Sequence, residues 1–351
     1  MTPVVHVVVP DGVDDSARPS GGNVYDRQIC TGLSALGWTV KEYPIVGDWP
    51  RPHASSYAAL AEIAGGVPTD DIVLIDGLIA STASEVLLPQ AGRLRMVVLM
   101  HMPLGHAPDA TLRMQEREVL LAAAAVITTS EWTRQRLLQL YALPPERVHV
   151  AHPGVDAAEL APTTPNGGSL VCVAAVTPGK GHDLFLDALA AARDMDWRLV
   201  CVGSTDRDPG YTDHVRKRID DLALDDRITF VGAKSGTDLE QVYAAADLLV
   251  LPTRTETYGM VITEALARGL PVITTRVGGV PEAMGHGDDG TRPGLLMAPE
   301  DPAALGSALR AWLGDASLRA RLRQAAHERR TRLKPWSATA SRVAEVLAAS
   351  Q

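Results

Sequence analysis

Leu248-Leu249-Val250-Leu251, then Pro252-Thr253-Arg254-Thr255-Glu256-Thr257-Tyr258-Gly259, then Met260 through Arg268, and finally Gly269-Leu270-Pro271-Val272-Ile273-Thr274 form the densest stretch of this chain. The first four residues are all large and aliphatic, as in a strand covered on both faces. Met260 to Arg268 is helix-forming, and Gly269-Leu270-Pro271 ends the helix. Another apolar run follows. Strand, loop, helix, strand is one right-handed βαβ unit of a parallel sheet. Glu256 then lies on the loop at the carboxyl end of a strand, and Glu264 within the helix.

The same rhythm runs through the chain. Apolar, non-alternating runs occur at Val4–Val9, Ile72–Ile75, Met96–Met100 and Val126–Thr128. They recur at Leu170–Ala174, Leu199–Val202, Ile228–Val231, Leu248–Leu251 and Val272–Thr274. Amphipathic stretches separate them, such as Ile29, Leu33 and Leu36, or Leu305, Leu309 and Trp312. Pro153-Gly154 and Pro162-Thr163-Thr164-Pro165-Asn166-Gly167-Gly168 interrupt the rhythm near the middle, with a linker's composition. The expected fold is α/β, with two doubly wound Rossmann-like domains. The first takes residues 1–155, the linker 156–168 and the second domain 169–334. Residues 335–351 form a terminal helix that can return to the first domain. An internal echo, Ala122–Thr129 against Ala244–Thr253, fits two similar domains.

The chain has 351 residues, which suits two domains at about 150 residues each. It is 46 % hydrophobic and 21 % charged, which excludes a disordered protein. Its net charge of −9 argues against a nucleic-acid partner. Three scattered cysteines exclude a disulfide scaffold and a zinc ribbon, and fit a reducing, cytoplasmic setting. Cys172 and Cys201 read as small buried hydrophobes. The start, Met1 to Val9, lacks a basic leader and reads as a first strand. No run approaches membrane-spanning length. Arg319, Arg323, Arg330 and Lys334 share a helical face about 60° wide at 100° per residue. They are expected to be solvated, with membrane or nucleic-acid contact the lesser reading.

Four loops carry the chemistry. Gly259 lets the chain approach a ligand, and the helix start beyond it offers N–H groups to an anion. Glu256 and Glu264 beside such a site suit sugar and ribose hydroxyls; a cap and a solvated carboxylate are the plain alternative. In Val176-Thr177-Pro178-Gly179-Lys180-Gly181-His182-Asp183, Lys180 is placed to meet a phosphate as a point charge. It is not a P-loop, since no Ser or Thr follows the lysine. Ser20-Gly21-Gly22-Asn23-Val24-Tyr25 opens another helix on two glycines. His101 ends the strand Met96–Met100, where ligands bind in open α/β sheets. The remaining histidines show no metal spacing, and Asp206-Arg207-Asp208 reads as a solvated loop.

These residues resemble the retaining nucleotide-sugar glycosyltransferases of family 4, with the GT-B fold. The likeness rests on Glu256 to Glu264 as an E-x7-E signature, with its tail Glu264-Ala265-Leu266-Ala267-Arg268-Gly269-Leu270-Pro271-Val272. It also rests on Gly278-Gly279-Val280-Pro281-Glu282, Lys180-Gly181, Gly21-Gly22 and His152-Pro153-Gly154-Val155-Asp156, and covers nearly the whole chain. The resemblance implies two domains facing a cleft, a UDP- or GDP-linked sugar as donor and an acceptor with a free hydroxyl. Lys180 would neutralise the diphosphate, Glu256 contact the donor sugar and Glu264 the ribose. Tyr258, Gly259, Met260 and Val261 would hold phosphate and sugar through backbone N–H groups. Gly22 would close over the diphosphate or the acceptor, and His101 face the transferred sugar. Asn23, Tyr25 and Ser130 are the candidate acceptor-side residues.

Two positions depart from the family pattern. Ala175 stands where an arginine is common five residues before the lysine, which leaves Arg254 as a candidate second cation. Thr257 stands where glycine is common. No residue is nominated as a carboxylate nucleophile beneath the anomeric carbon, so the resemblance implies front-face attack with no metal and no cofactor. The alternatives are a nucleotide-sugar epimerase of the same fold and a sugar-nucleotide-binding protein weakened in catalysis.

Overall fold

The computed structural model describes residues 2–15, 19–105 and 109–350; His106 lies outside them. The chain divides into two compact units. The first takes residues up to Asp15, Ser20–Gly154 and the C-terminal segment from Lys334; the second is built on Val155–Leu333.

The first unit holds a six-stranded parallel sheet of β1 (Val4–Pro10), β2 (Thr39–Ile45), β3 (Ile72–Asp76), β4 (Arg95–Met100), β5 (Ala125–Thr128) and β6 (Val148–Val150), in the order β2-β1-β3-β4-β5-β6. Its central strands are buried along their whole length, and Val73, Ile75, Met96 and Val98 pack with Leu60, Val119 and Leu137. The helix Trp336–Ala349 belongs to this unit and lies on the helix Gly21–Ala35. The two approach so closely that a Cβ on Gly32 would sit 2.4 Å from the Ala340 Cβ.

The second unit holds β7 (Ser169–Val173), β8 (Arg198–Val202), β9 (Ile228–Phe230), β10 (Leu248–Leu251), β11 (Val272–Thr275) and β12 (Gly294–Met297), also parallel, in the order β12-β11-β10-β7-β8-β9. The strand order reverses between β7 and β10, and in the first sheet between β1 and β3. Ligands of open α/β sheets sit at such switch points, beyond the carboxyl ends of the strands. Cys172 and Cys201 are paired in register across β7 and β8, buried and free of disulfide. Among the described residues no helix is long and apolar enough to cross a membrane.

Residues 155–168 carry no helix or strand, yet they are pinned to the second unit. The carboxylate of Asp247, fully buried just before β10, accepts from the Thr164 hydroxyl at 2.6 Å and the Ser169 N–H at 2.9 Å. It also accepts from the Thr164 N–H and from Arg323 Nη2. Here the expectation of a solvated arginine face is corrected. Arg319 is only 8 % exposed and donates to the Trp312, Leu313 and Pro165 carbonyls. Arg323 donates to the Thr164 carbonyl and Arg330 to those of Ala158 and Ala267. These arginines face backbone carbonyls of the connecting segment, which spread over the surface of the unit and need donors; Lys334 alone of the four is exposed.

Asp247→Ala leaves Arg323 and several N–H groups without their acceptor. It should destabilise the protein by about 3–5 kcal/mol, the cost of breaking a buried charged cluster, read by urea denaturation. A change within about 0.5 kcal/mol, the range of an ordinary surface substitution, would show that Asp247 does not hold the segment.

Candidate functional site

The switch point of the second sheet brings two loops together. One follows β7: Thr177, the turn Pro178–Lys180, then Gly181 and the helix His182–Ala190. The other follows β10 and leads through Gly259 into the helix Met260–Ala267. Both helices open on a glycine in the left-handed region, φ 70° at Gly181 and 97° at Gly259, with no side-chain cap. Three other helices of this unit are capped by aspartates, namely Asp208, Asp301 and Asp315. At the helix start after Gly181 the Asp183 N–H is taken by the Tyr211 hydroxyl at 3.2 Å, so the helix start after Gly259, where the strand order reverses, is the one whose N–H groups suit an anion.

Backbone contacts lock the loops. The Arg254 N–H and the Thr253 hydroxyl both donate to the Gly179 carbonyl, at 2.8 and 3.0 Å. A Cβ on Gly181 would lie 2.1 Å from the Pro252 carbonyl oxygen, so only glycine permits this approach. As a result Lys180 Nζ donates to Glu256 Oε2 at 2.7 Å. The ammonium is 30 % exposed and the carboxylate 15 %. Neither motif alone reveals that these two charges meet.

Glu264 is half-buried and accepts from the Tyr243 hydroxyl at 2.9 Å. Burial pushes its carboxyl up, opposed by that bond and by Arg268. Tyr258 is buried among Leu251, Ile262 and Val280, and burial pushes its phenol up to about 12. Met260 and Val261 are partly exposed in the first turn of the helix.

Arg254 is not a spare cation. Its guanidinium meets both oxygens of Asp183 at 2.8 Å, the Pro178 carbonyl at 2.7 Å and Glu300 through Nε at 2.5 Å. It braces the lysine loop instead. Burial alone would raise the Asp183 carboxyl, but the hydrogen bonds from Arg254 and Tyr211 hold it down to about 2. In the loop after β8, Asp208 caps the helix Pro209–Asp221 and Asp206 accepts from Thr205.

In the first unit, His101 stands at the carboxyl end of β4, and Gly22 lies beneath its ring, where a Cβ would be 3.3 Å from Cδ2. The acceptor-side assignments need correction. Tyr25 is fully buried, donates to the Ala151 carbonyl at 2.8 Å and packs edge-on against His101 and Trp336. Ser130 is buried as the cap of the helix Glu131–Tyr141, with its oxygen on the Thr133 N–H at 3.0 Å. Asn23 is partly buried, and its amide is spent on the Gly12 carbonyl at 2.9 Å. Tyr25 and Ser130 are committed to the packing of the unit, while one N–H of the partly exposed Asn23 amide is taken by Gly12.

Sequence reasoning missed Asp26 and Asp76, which both face His101. The ligand atoms of these three side chains all lie within 4.8 Å of one another. Two signals pointed to them. Asp76 ends β3 in register with Leu99 of the neighbouring strand, and Asp26 is one helical turn beyond Gly22.

Depressing the Asp183 carboxyl stabilises the protein wherever the unfolded chain would bind the extra proton. That stability is present above the ordinary carboxyl value of about 4 and is lost as pH falls toward about 2. The Tm gap between the protein and Asp183→Asn should therefore be widest above pH 4 and narrow on acidification. A gap independent of pH would remove Asp183 as the charged brace of the lysine loop.

Two family models divide the chain. Residues 5–159 match "Glycosyltransferase Family 4" and residues 163–329 match "Glycosyl transferases group 1". The D-inositol 3-phosphate glycosyltransferase of Jonesia denitrificans is 31 % identical over 258 residues, 68 % of this chain and 60 % of that protein. A second D-inositol 3-phosphate glycosyltransferase, from Catenulispora acidiphila, is 32 % identical over 70 % of this chain and 61 % of its own length. The chain thus spans less than two thirds of these relatives. Among solved structures, a sucrose-phosphate synthase from Thermosynechococcus elongatus superposes with a TM-score of 0.80 at 21 % identity, covering 99 % of this chain and 98 % of its own. Anabaena HepE in complex with UDP-glucose gives 0.78 at 18 % identity, covering 99 % of each chain. With both halves matched and the two parallel sheets in place, the chain belongs to the family 4 glycosyltransferases and has the GT-B fold.

Proposed function

We propose that the protein is a retaining glycosyltransferase that moves a hexosyl group from a nucleoside-diphosphate sugar to an acceptor hydroxyl. The observation that carries this reading is the Lys180–Glu256 pair, 2.7 Å apart, beside the helix start after Gly259, which lacks a side-chain cap. A cation and the N–H groups at the helix start after Gly259 suit a diphosphate; a carboxylate beside them suits sugar hydroxyls. Glu264 is the candidate ribose ligand, and the N–H groups near Gly259, Met260 and Val261 the candidate phosphate ligands.

Charge that develops on the leaving diphosphate is stabilised by Lys180 and the helix start after Gly259, which are organised before the reaction begins. No metal is required for that step in this proposal. The diphosphate remains near the anomeric carbon, accepts the acceptor's proton and lets attack proceed on the face it leaves. The relatives are named as transferases, which favours transfer over epimerisation. The acceptor in their names makes an inositol phosphate the first compound to test, with UDP- and GDP-sugars as donors. A cytoplasmic setting suits such soluble donors.

Thermal-shift screening identifies the nucleotide, and mass spectrometry the product. Lys180→Ala should lower kcat by about 10²–10³, the scale of losing one preorganised donor, and transfer should continue in EDTA. If only KM rises while kcat stays within about twofold, the lysine supplies uniform binding and the mechanism fails. Loss of activity in EDTA, restored by manganese, would overturn the metal-free reading.

A further inference from the structure

At the carboxyl end of the first sheet, three side chains from three elements converge. His101 Nε2 lies 2.7 Å from Asp26 Oδ1 and 3.5 Å from Asp76 Oδ2. Asp26 comes from the helix after β1, Asp76 from the end of β3 and His101 from the end of β4. The switch point of this sheet, between β1 and β3, brings them together. Both carboxylates are almost wholly buried, while the histidine keeps 13 % exposure.

The hydrogen-bond accounts of the two acids differ. Asp76 Oδ1 accepts from the N–H groups of Leu78 and Ile79, so part of its charge is balanced by backbone. Asp26 Oδ2 is buried and has no hydrogen-bond partner among the described residues. A buried carboxylate with an orphaned oxygen is costly unless a positive charge stands beside it. His101 is the cation-forming group in contact. Its polar partners among the described residues are all at Nε2. Bonding to a carboxylate puts a proton on Nε2 and leaves Nδ1 as the other edge of the ring.

We propose that Asp26, aided by Asp76, is a positioning residue that keeps His101 cationic and correctly oriented, so that Nδ1–H donates to a hydroxyl oxygen of the transferred sugar. This rests on the glycosyltransferase reading above and adds the charge state of the histidine and the residues that set it. Among the described residues, the titratable groups facing the ring are Asp26, Asp76 and the buried phenol of Tyr25, which lies edge-on at 5.2 Å. Burial alone would push the imidazole down; the charge and hydrogen bond of Asp26, then the charge of Asp76, outweigh it and raise it. Burial, and next the charge of Asp26, push Asp76 up to about 7. The cluster therefore keeps protons that the separate side chains would release near neutrality. Raising the pH through its titration removes the cation, so transfer should fall on the alkaline side.

The test is a titration of His101 by NMR on the full chain with labelled histidine, without substrate, beside the pH profile of transfer. In the parent, the His101 midpoint should lie above the ordinary value of about 6.5. In Asp26→Asn it should move down by about one unit or more. The alkaline limb of kcat should move with it, and kcat at pH 8 should drop by up to about 10²-fold, as when a well-placed group is lost. Asp26→Glu should restore part of both. Asp76→Asn should give a smaller downward shift, and it serves if Asp26→Asn does not fold. An unmoved midpoint, or an activity loss equal at every pH, would overturn the proposal. So would stoichiometric binding of Mn²⁺ or Zn²⁺ that disappears in Asp26→Asn, because the three side chains would then be metal ligands. The titration needs no turnover, so failure of the transfer reading and failure of the cluster are separate results.

Discussion

An ammonium and a carboxylate 76 positions apart in the chain are held 2.7 Å apart, and much else in the second unit serves that contact. β7 and β10 are hydrogen-bonded neighbours because the strand order reverses there. Their outgoing loops must therefore pass each other at the carboxyl end of the sheet. The passage is close enough to demand glycine at 181, and Arg254, engaged by Asp183 and Glu300, clamps it from the side. In the free protein Lys180 is already ordered by Glu256. On the proposed reading, a diphosphate at the helix start after Gly259 would meet a cation whose conformational entropy has been spent in folding.

A second constraint is the chain connecting the two units. Residues 155–168 form neither helix nor strand, so their carbonyls and N–H groups need outside partners. Asp247 and the arginines of the helix Ala316–Arg330 supply them. The charges lie inward because the groups that most need donors are backbone oxygens of this segment, which periodicity along one helix does not reveal.

Most of the sheet was legible in the sequence, and the omissions have one physical cause. The nine apolar runs all became strands, because strands covered on both faces are nearly continuous in Val, Ile and Leu. The three strands that were not anticipated, β2, β6 and β12, are all sheet edges. Thr39–Ile45 includes Lys41 and Glu42 and is mostly exposed or half-buried, so it carries no such signature. The places of Lys180, Glu256 and His101 on loops after strands were legible in the sequence. The acceptor-side trio was not, since a hydroxyl near a glycine-rich loop reads alike whether it faces a ligand or, as with Tyr25, a buried carbonyl. Asp26 and Asp76 were hidden because their significance is mutual and needs three elements to be assembled.

The central claim is that Lys180 and Glu256 act as one unit. A double-mutant cycle on kcat/KM for transfer, using Lys180→Ala, Glu256→Gln and the pair together, tests it most directly. If the two act as one, the losses are strongly non-additive, and the double variant is about as impaired as the worse single one. Losses that multiply, as for two independent groups, would contradict the account.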